Sequence, residues 1–175
     1  MGLLHRLRAI FVGSPESVEQ SPAEHPVVPE VAHERRKRPR VDARKGTRVL
    51  IVDDSPTILL HLRKLFASVG YQTQEATDAD IALRMMQSER PDLVVLDVIM
   101  PGTNGFAALR HMRKDPKVRD VPVIMMSGNE QATEEFYLMR IGADGFMKKP
   151  FTRFDVFSRI ERLLDASHVP RRSVA

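Results

Sequence analysis

The sequence predicts an α/β fold, a doubly wound parallel sheet of five strand–helix repeats preceded by a flexible N-terminal extension. Three observations lead there. From Thr47 onward, short apolar runs alternate with longer stretches whose apolar residues recur every three or four positions. Gly, Pro, Asp and Asn punctuate the joins between them. Residues 14–46, by contrast, hold five of the twelve prolines (Pro15, Pro22, Pro26, Pro29 and Pro39) and little aromatic character, a composition that buries too little surface to offset chain ordering.

Taken in order, Arg48–Val52 (RVLIV) reads as a buried strand. Ser55 is placed to cap a following helix with Pro56 in its first turn, and Ile58, Leu59, Leu62, Leu65, Phe66 and Val69 form its inner stripe. Tyr71–Ala76 reads as a second strand and Asp78–Ser88 as a second helix, carrying Ile81, Leu83, Met85 and Met86. Leu93–Asp97 (LVVLD) is the most apolar strand. A loop with Pro101 and Gly102 leads to a helix near Asn104–Lys114, a strand at Pro122–Ser127 and a helix near Ala132–Arg140. A short strand at Asp144–Met147 and a last helix at Arg153–Asp165 complete the series. Strands alternating with helices imply a parallel sheet covered on both faces. Right-handed crossovers then bring every strand's C-terminal end to one edge, where open sheets of this kind form their ligand sites.

Composition narrows the function. The chain has 175 residues and 42% apolar content, room for one domain and an appendage. The absence of cysteine excludes disulfides, thiolate metal sites and a cysteine nucleophile. No apolar run is long enough to span a bilayer, and His5, Arg6 and Arg8 interrupt any secretory signal, so a cytoplasmic protein is expected. The net charge of +4 is unevenly spread: residues 1–46 carry +3, residues 47–165 carry −1, and residues 166–175 carry +2. The predicted fold is itself nearly neutral, which argues against a nucleic-acid-binding body.

The predicted strand ends carry the chemistry. The first strand finishes in Asp53-Asp54, the third in Asp97 and the fourth in Ser127, and the fifth is followed by Lys149-Pro150. Singly, each is what surface turns and strand ends supply anyway. Together they set three carboxylates, a hydroxyl and an ammonium on one edge. Carboxylates so grouped call for a counter-cation, and Mg²⁺ accepts one or two of them while keeping waters. Such a nest neutralises the repulsion between an attacking carboxylate and phosphoryl oxygens: metal on one side, Lys149 on another, and a hydrogen bond from Ser127.

The stretches VLIVDDSPT, LVVLDVIMPGTNG, VIMMSG and GFMKKPF resemble the receiver domains of bacterial response regulators in order and spacing, over residues 47–165. The resemblance implies a flavodoxin-like (βα)5 sheet in strand order 2-1-3-4-5. It implies that Asp97 accepts a phosphoryl group from a phosphohistidine on a histidine kinase. Mg²⁺ would be held by Asp54, Asp97 and the backbone carbonyl of Ile99, with Asp53 acting through water. Ser127 and Lys149 would grip the phosphoryl oxygens, Ser127 and Phe146 would form the switch, and the peptide before Pro150 would be cis. A phosphoacceptor of this kind assists only its own phosphorylation and dephosphorylation and is not otherwise an enzyme. Ile99 and Asn129, each two residues beyond a site residue, offer no group to activate water, so a long-lived phosphoryl group is expected.

The organisation expected is an amphipathic segment at 1–13, a basic, proline-rich linker at 14–46, the receiver at 47–165 and a short tail at 166–175. Residues 2–12 (GLLHRLRAIFV) place Leu3, Leu7, Ile10 and Phe11 at helical spacing, suited to docking on a partner or a membrane. No effector DNA-binding domain fits after Asp165, so the output would be a surface offered to an unknown downstream protein. The chemosensory kind, including regulators of twitching motility, is the nearest flavour, with a kinase of the same type. Competing readings are a phosphate sink for that kinase and a nucleic-acid-binding regulator acting through the basic cluster at 34–40. A phosphohydrolase with an aspartyl nucleophile would want a carboxylate where Ile99 stands.

Overall fold

The computed structural model describes residues 39–131, 133, 136 and 142–172. The segment expected at 1–13 and most of the linker expected at 14–46 lie outside the described residues. The elements are β1 (Arg48–Val52), α1 (Pro56–Ala67), β2 (Gln72–Ala76), α2 (Ala79–Ser88), β3 (Leu93–Asp97), α3 (Gly105–Lys114), β4 (Val123–Ser127), β5 (Gly145–Lys148) and α4 (Arg153–Glu161). The helix expected at 132–140 falls largely outside the described residues, although Thr133 and Phe136 within it are helical.

The five strands are all parallel, in the order β2-β1-β3-β4-β5. Every residue of β3 and β4 is buried, as covering both faces of a parallel sheet requires. Alternation sends Leu50, Val52, Val94, Leu96 and Met125 to the layer shared with α2 and α3. Val49, Ile51, Val95, Ile124 and Met126 go to the layer built on Leu62, Phe66, Phe157 and Ile160 of α1 and α4. Each fully buried side chain of this size contributes about 1.5–3 kcal/mol, so the paired layers dominate the stability of the sheet. The edge strand β2 (QTQEA) is polar, which discourages pairing with another chain.

Side-chain caps start three of the helices. Asp78 Oδ1 accepts from the Ile81 N–H at 2.7 Å, and Asn104 Oδ1 from the Ala107 N–H at 2.9 Å. Thr152 and Asp155 form a reciprocal capping box on α4. Ser55 departs from expectation: it occupies the N-cap position of α1, but its hydroxyl makes no capping bond. Its backbone N–H donates instead to Asp53 Oδ1 at 2.9 Å, so the preceding aspartate organises the turn.

The packed body extends past both ends of the expected 47–165 segment. Ala43 is buried and its N–H donates to the Tyr71 hydroxyl at 2.7 Å. Val169 is buried, and Leu164 bridges to Pro170. Arg172 reaches Asp144 at 3.2 Å while Arg113 holds the other oxygen of that buried carboxylate at 3.0 Å. Burial, with Arg172 beside it, brings the Arg113 guanidinium down to about 10. Boundaries at 46 and 165 therefore cut through packed structure, because backbone bonds and ion pairs, not apolar periodicity, tie down these segments.

One glycine sets the height of α3 above β3. A Cβ on Gly105 would lie 2.1 Å from the Asp97 carbonyl oxygen and 2.9 Å from the Val98 Cα, and the Gly105 N–H donates to the Val98 carbonyl at 2.9 Å. Alanine is ordinarily the better helix former by up to ~1 kcal/mol, but here the overlap is with backbone that cannot yield cheaply. Gly105→Ala is expected to lower stability by about 1–3 kcal/mol, read as a fall in the urea midpoint at constant slope; an unchanged or raised midpoint would show that the loop relaxes freely.

Candidate functional site

Parallel register delivers the side chains. β1 ends at Val52, and Asp53 follows with its N–H donating to the Ala76 carbonyl of β2 at 3.1 Å. β3 ends in Asp97, paired with Met126 of β4, and Ser127 closes β4 opposite Lys148. The Lys149 N–H donates to the Ser127 carbonyl at 2.8 Å, and the Lys149–Pro150 peptide is cis. The four strand ends thus meet at the C-terminal edge, where the chain leaves the paired strands β1 and β3 toward helices on opposite faces of the sheet.

Lys149 Nζ lies 2.6 Å from Asp53 Oδ2 and 3.0 Å from Asp97 Oδ2. Asp53 and Asp97 are buried, and Asp54 is exposed at the mouth. One carboxylate oxygen from each of Asp53, Asp54 and Asp97 falls within 4.8 Å of the others, close enough to share one metal ion. Oδ1 of Asp97 is buried with no hydrogen-bond partner, so a ligand-facing oxygen remains beside the oxygen that Lys149 holds. An orphaned carboxylate oxygen among three carboxylates is what a hard, oxygen-ligated cation would satisfy.

Burial pushes the Asp97 carboxyl above its ordinary value, against the opposing pull of Lys149. Burial also disfavours the charged Lys149, but its bonds to Asp53 and Asp97 outweigh that and raise its basicity. The nest is therefore a lysine whose charge is favoured by two carboxylates, one of them, Asp97, disfavoured in its ionised form by burial.

The remaining candidates are placed as follows. Ser127 is buried, and its Oγ accepts from the Asn129 N–H at 3.1 Å. Ile99 is 54% exposed beside Asp97, an apolar side chain at the lip. Phe146 does not join the charged nest: its ring is buried and lies 4.7 Å from that of Phe136, tilted by 31°. Sequence reasoning missed three supporting residues: Gly105 against the Asp97 backbone, the Ser55 amide on Asp53, and Phe136 against Phe146. A glycine in the first turn of an otherwise good helix was the available signal for the first.

A family model described as the response regulator receiver domain matches residues 49–161. Protein PilH of Pseudomonas aeruginosa is 34% identical over 117 residues, which cover 67% of this chain and 97% of PilH. Several transcriptional regulators also match, but over only about half of their own length, 48% to 52%. Among solved structures, the chemotaxis response regulator CheY4 of Vibrio cholerae is 27% identical with a TM-score of 0.62, covering 67% of this chain and 98% of that one. The receiver domain of the sensor histidine kinase PA1611 of P. aeruginosa, solved with magnesium coordinated in its active-site cleft, is 26% identical with a TM-score of 0.60, covering 67% and 95%. With the family model matching residues 49–161, from β1 through α4, and PilH matched over 97% of its length, this chain belongs to the response regulator receiver family.

Proposed function

We propose that Asp97 is the phosphoacceptor of this receiver and that a histidine kinase is its donor. The observation that carries this reading is the state of Asp97: buried, one oxygen held by Lys149, the other without a partner. An Asp97 carboxylate oxygen attacks the phosphorus of a phosphohistidine. The new O–P bond forms as the N–P bond breaks, and the imidazole leaves with its electron pair. Lys149 meets the incoming phosphoryl oxygens with positive charge, and Ser127 donates to one of them once its hydroxyl turns from the Asn129 amide. Asp54, Asp97 and the Ile99 carbonyl would hold Mg²⁺, with Asp53 helping through water. These residues would thereby hold a positive charge that offsets that of the phosphoryl oxygens.

Output is a change in a protein-binding surface on the β4–β5–α4 side. Ser127 and Phe146 form the switch, because Phe146 sits one strand from Ser127 and its ring stacks on Phe136 of the β4–β5 connection. A small coupling, about 1–3 kcal/mol, suffices to shift such a surface. Similarity to PilH and to a chemotaxis protein supports a chemosensory kinase partner, a role of the twitching or chemotaxis type, and a cytoplasmic setting. Among the described residues no helix is long and apolar enough to cross a membrane.

Incubation of the full chain with acetyl phosphate and Mg²⁺ is expected to add the mass of one phosphoryl group to the wild type and none to Asp97→Ala. Lys149→Ala should slow the addition on the order of a hundredfold. Equal labelling of wild type and Asp97→Ala would remove the assignment. Ile99→Asn, which sets an amide beside the acyl phosphate, is expected to shorten phosphoryl lifetime several-fold in single-turnover decay measurements.

Stability should follow the same carboxyl. Because the folded state raises the Asp97 value, ionisation opposes folding: the cost is absent below the ordinary carboxyl value, grows as pH rises from there to the raised value, and is complete above it. Asp97→Asn is therefore expected to raise the urea midpoint of the metal-free protein near neutral pH. The gain should fade as pH falls through the raised carboxyl value, and a gain that grows on acidification would contradict the assigned direction.

A further inference from the structure

We propose that the groove between α2 and α3 is a docking site for an acidic segment of a partner protein, one that sets carboxylates on both sides of an apolar side chain. The groove has a volume of about 420 Å³ and is lined by Leu83, Arg84 and Gln87 on one wall and by His111, Lys114 and Asp115 on the other. These positions recur at three- and four-residue spacing along each helix, so each set occupies one helix face. A staple at either end holds the two helices. Thr103 Oγ1 donates to Asp80 Oδ1 at 3.4 Å where they begin, and Gln87 Nε2 donates to Asp115 Oδ2 where they end. A concavity fixed in this way is largely formed before any ligand arrives.

The charge of the groove is one-sided. Its acidic member, Asp115, has both carboxylate oxygens engaged, Oδ1 by the Lys117 N–H at 2.9 Å and Oδ2 by Gln87. Those two bonds hold its carboxyl below the ordinary value. Arg84 and Lys114, one on each wall, are exposed and form no ion pair among the described residues. Leu83 is the apolar member, partly buried against the core layer beneath it, and the methylene stems of arginine and lysine add apolar surface beside it. Cations on opposite walls of an apolar floor are the complement of a segment with carboxylates flanking an apolar side chain.

Shape selects a peptide among anions. A small organic anion ordinarily loses most of its surface to its pocket, whereas four of the six residues lining this groove are exposed. A bilayer does not enter a cleft between two helices, and a nucleic-acid phosphate makes no use of Leu83. A peptide laid between the helices uses floor and walls together. Both helices run antiparallel to the strands they follow, which sets Arg84, Gln87, His111 and Lys114, in their C-terminal halves, toward the N-terminal ends of the strands. The acidic nest lies at the other edge, so an occupied groove leaves Asp97 accessible. The partner is held whether or not the chain is phosphorylated, and the inference is independent of the phosphoacceptor assignment.

The test is fluorescence anisotropy of a fluorescein-labelled peptide alternating glutamate and leucine, titrated with the full chain, against the same peptide with glutamine in place of glutamate. Binding of the acidic peptide alone, weakened by salt, is expected. Arg84→Gln and Lys114→Gln should each lower affinity about two- to fivefold, the size of one exposed charge pair, while leaving acetyl-phosphate labelling of Asp97 intact. Lys64→Gln, exposed on α1 at the opposite face of the sheet, should leave the affinity unchanged. Equal binding of the two peptides, no binding of either, or equal losses from Lys64→Gln and Lys114→Gln overturns the proposal. So does displacement by citrate as complete as by unlabelled peptide, which would make the groove a small-anion site. A dimer dissolved by Lys114→Gln would overturn it too, giving the groove to a second copy of the chain.

Discussion

The Lys149 ammonium, 2.6 Å from Asp53 and 3.0 Å from Asp97, is the contact on which the rest of the nest depends. At an effective dielectric near 20, each such contact is worth roughly 5 kcal/mol before desolvation is subtracted. Two of them outweigh the cost of burying the lysine, which is why its basicity rises although burial alone would lower it. They do not fully compensate Asp97, whose carboxyl stays above its ordinary value. Only one of its oxygens is engaged, and the other is left for a ligand. The arrangement holds two carboxylates together, satisfying both oxygens of Asp53 but only one of Asp97. A site of this kind gives up stability to leave a buried carboxylate oxygen open to a ligand.

Most of the fold was legible because it rests on short-range rules. Strand β3 is a run of five apolar and acidic residues, LVVLD, whose continuous burial follows from sitting mid-sheet. Asp78, Asn104 and Thr152 cap their helices as their residue types suggest. The nest residues could be read because each stands at the end of a recognisable strand, and parallel topology converts that position into proximity. Ser55 shows the limit of local pattern: a serine before a proline satisfies the cap pattern, but its hydroxyl makes no capping bond, and the turn is held by its backbone N–H on Asp53.

What stayed hidden depends on contacts between segments that lack a period. Nothing in the tail residues 166–172 marks them as packed. Yet Arg171 donates its backbone N–H to Leu163 at 2.7 Å, and Asp165 accepts from the backbone amides of Ser167 and Val169. Arg40 stacks on the Phe157 ring at 4.3 Å, from what reads in sequence as linker. Gly105 is conspicuous only once the Asp97 carbonyl is seen beneath it. Each case is a tertiary coincidence of one residue with another far away, and local propensity carries no record of it.

The acidic nest and the Arg113–Asp144–Arg172 clasp lie at opposite ends of the sheet, and the spacing between them bears on whether they act together. The strands are five residues long in β1, β3 and β4, so nest and clasp stand about 17 Å apart at ~3.3 Å per residue. That is about twice the screening length of ~8 Å at physiological ionic strength. Surface charges at that separation scarcely influence each other through solvent. Any coupling between the two edges has to pass through packing instead. The link in this structure is the β4–β5 pair, which ends in Ser127 and Lys148 on one side and begins beside the Arg113–Asp144–Arg172 clasp on the other. A buried carboxylate shared by two arginines is a stiff anchor at that end of the pair, whereas at the other end Phe146 packs against Phe136 of the β4–β5 connection.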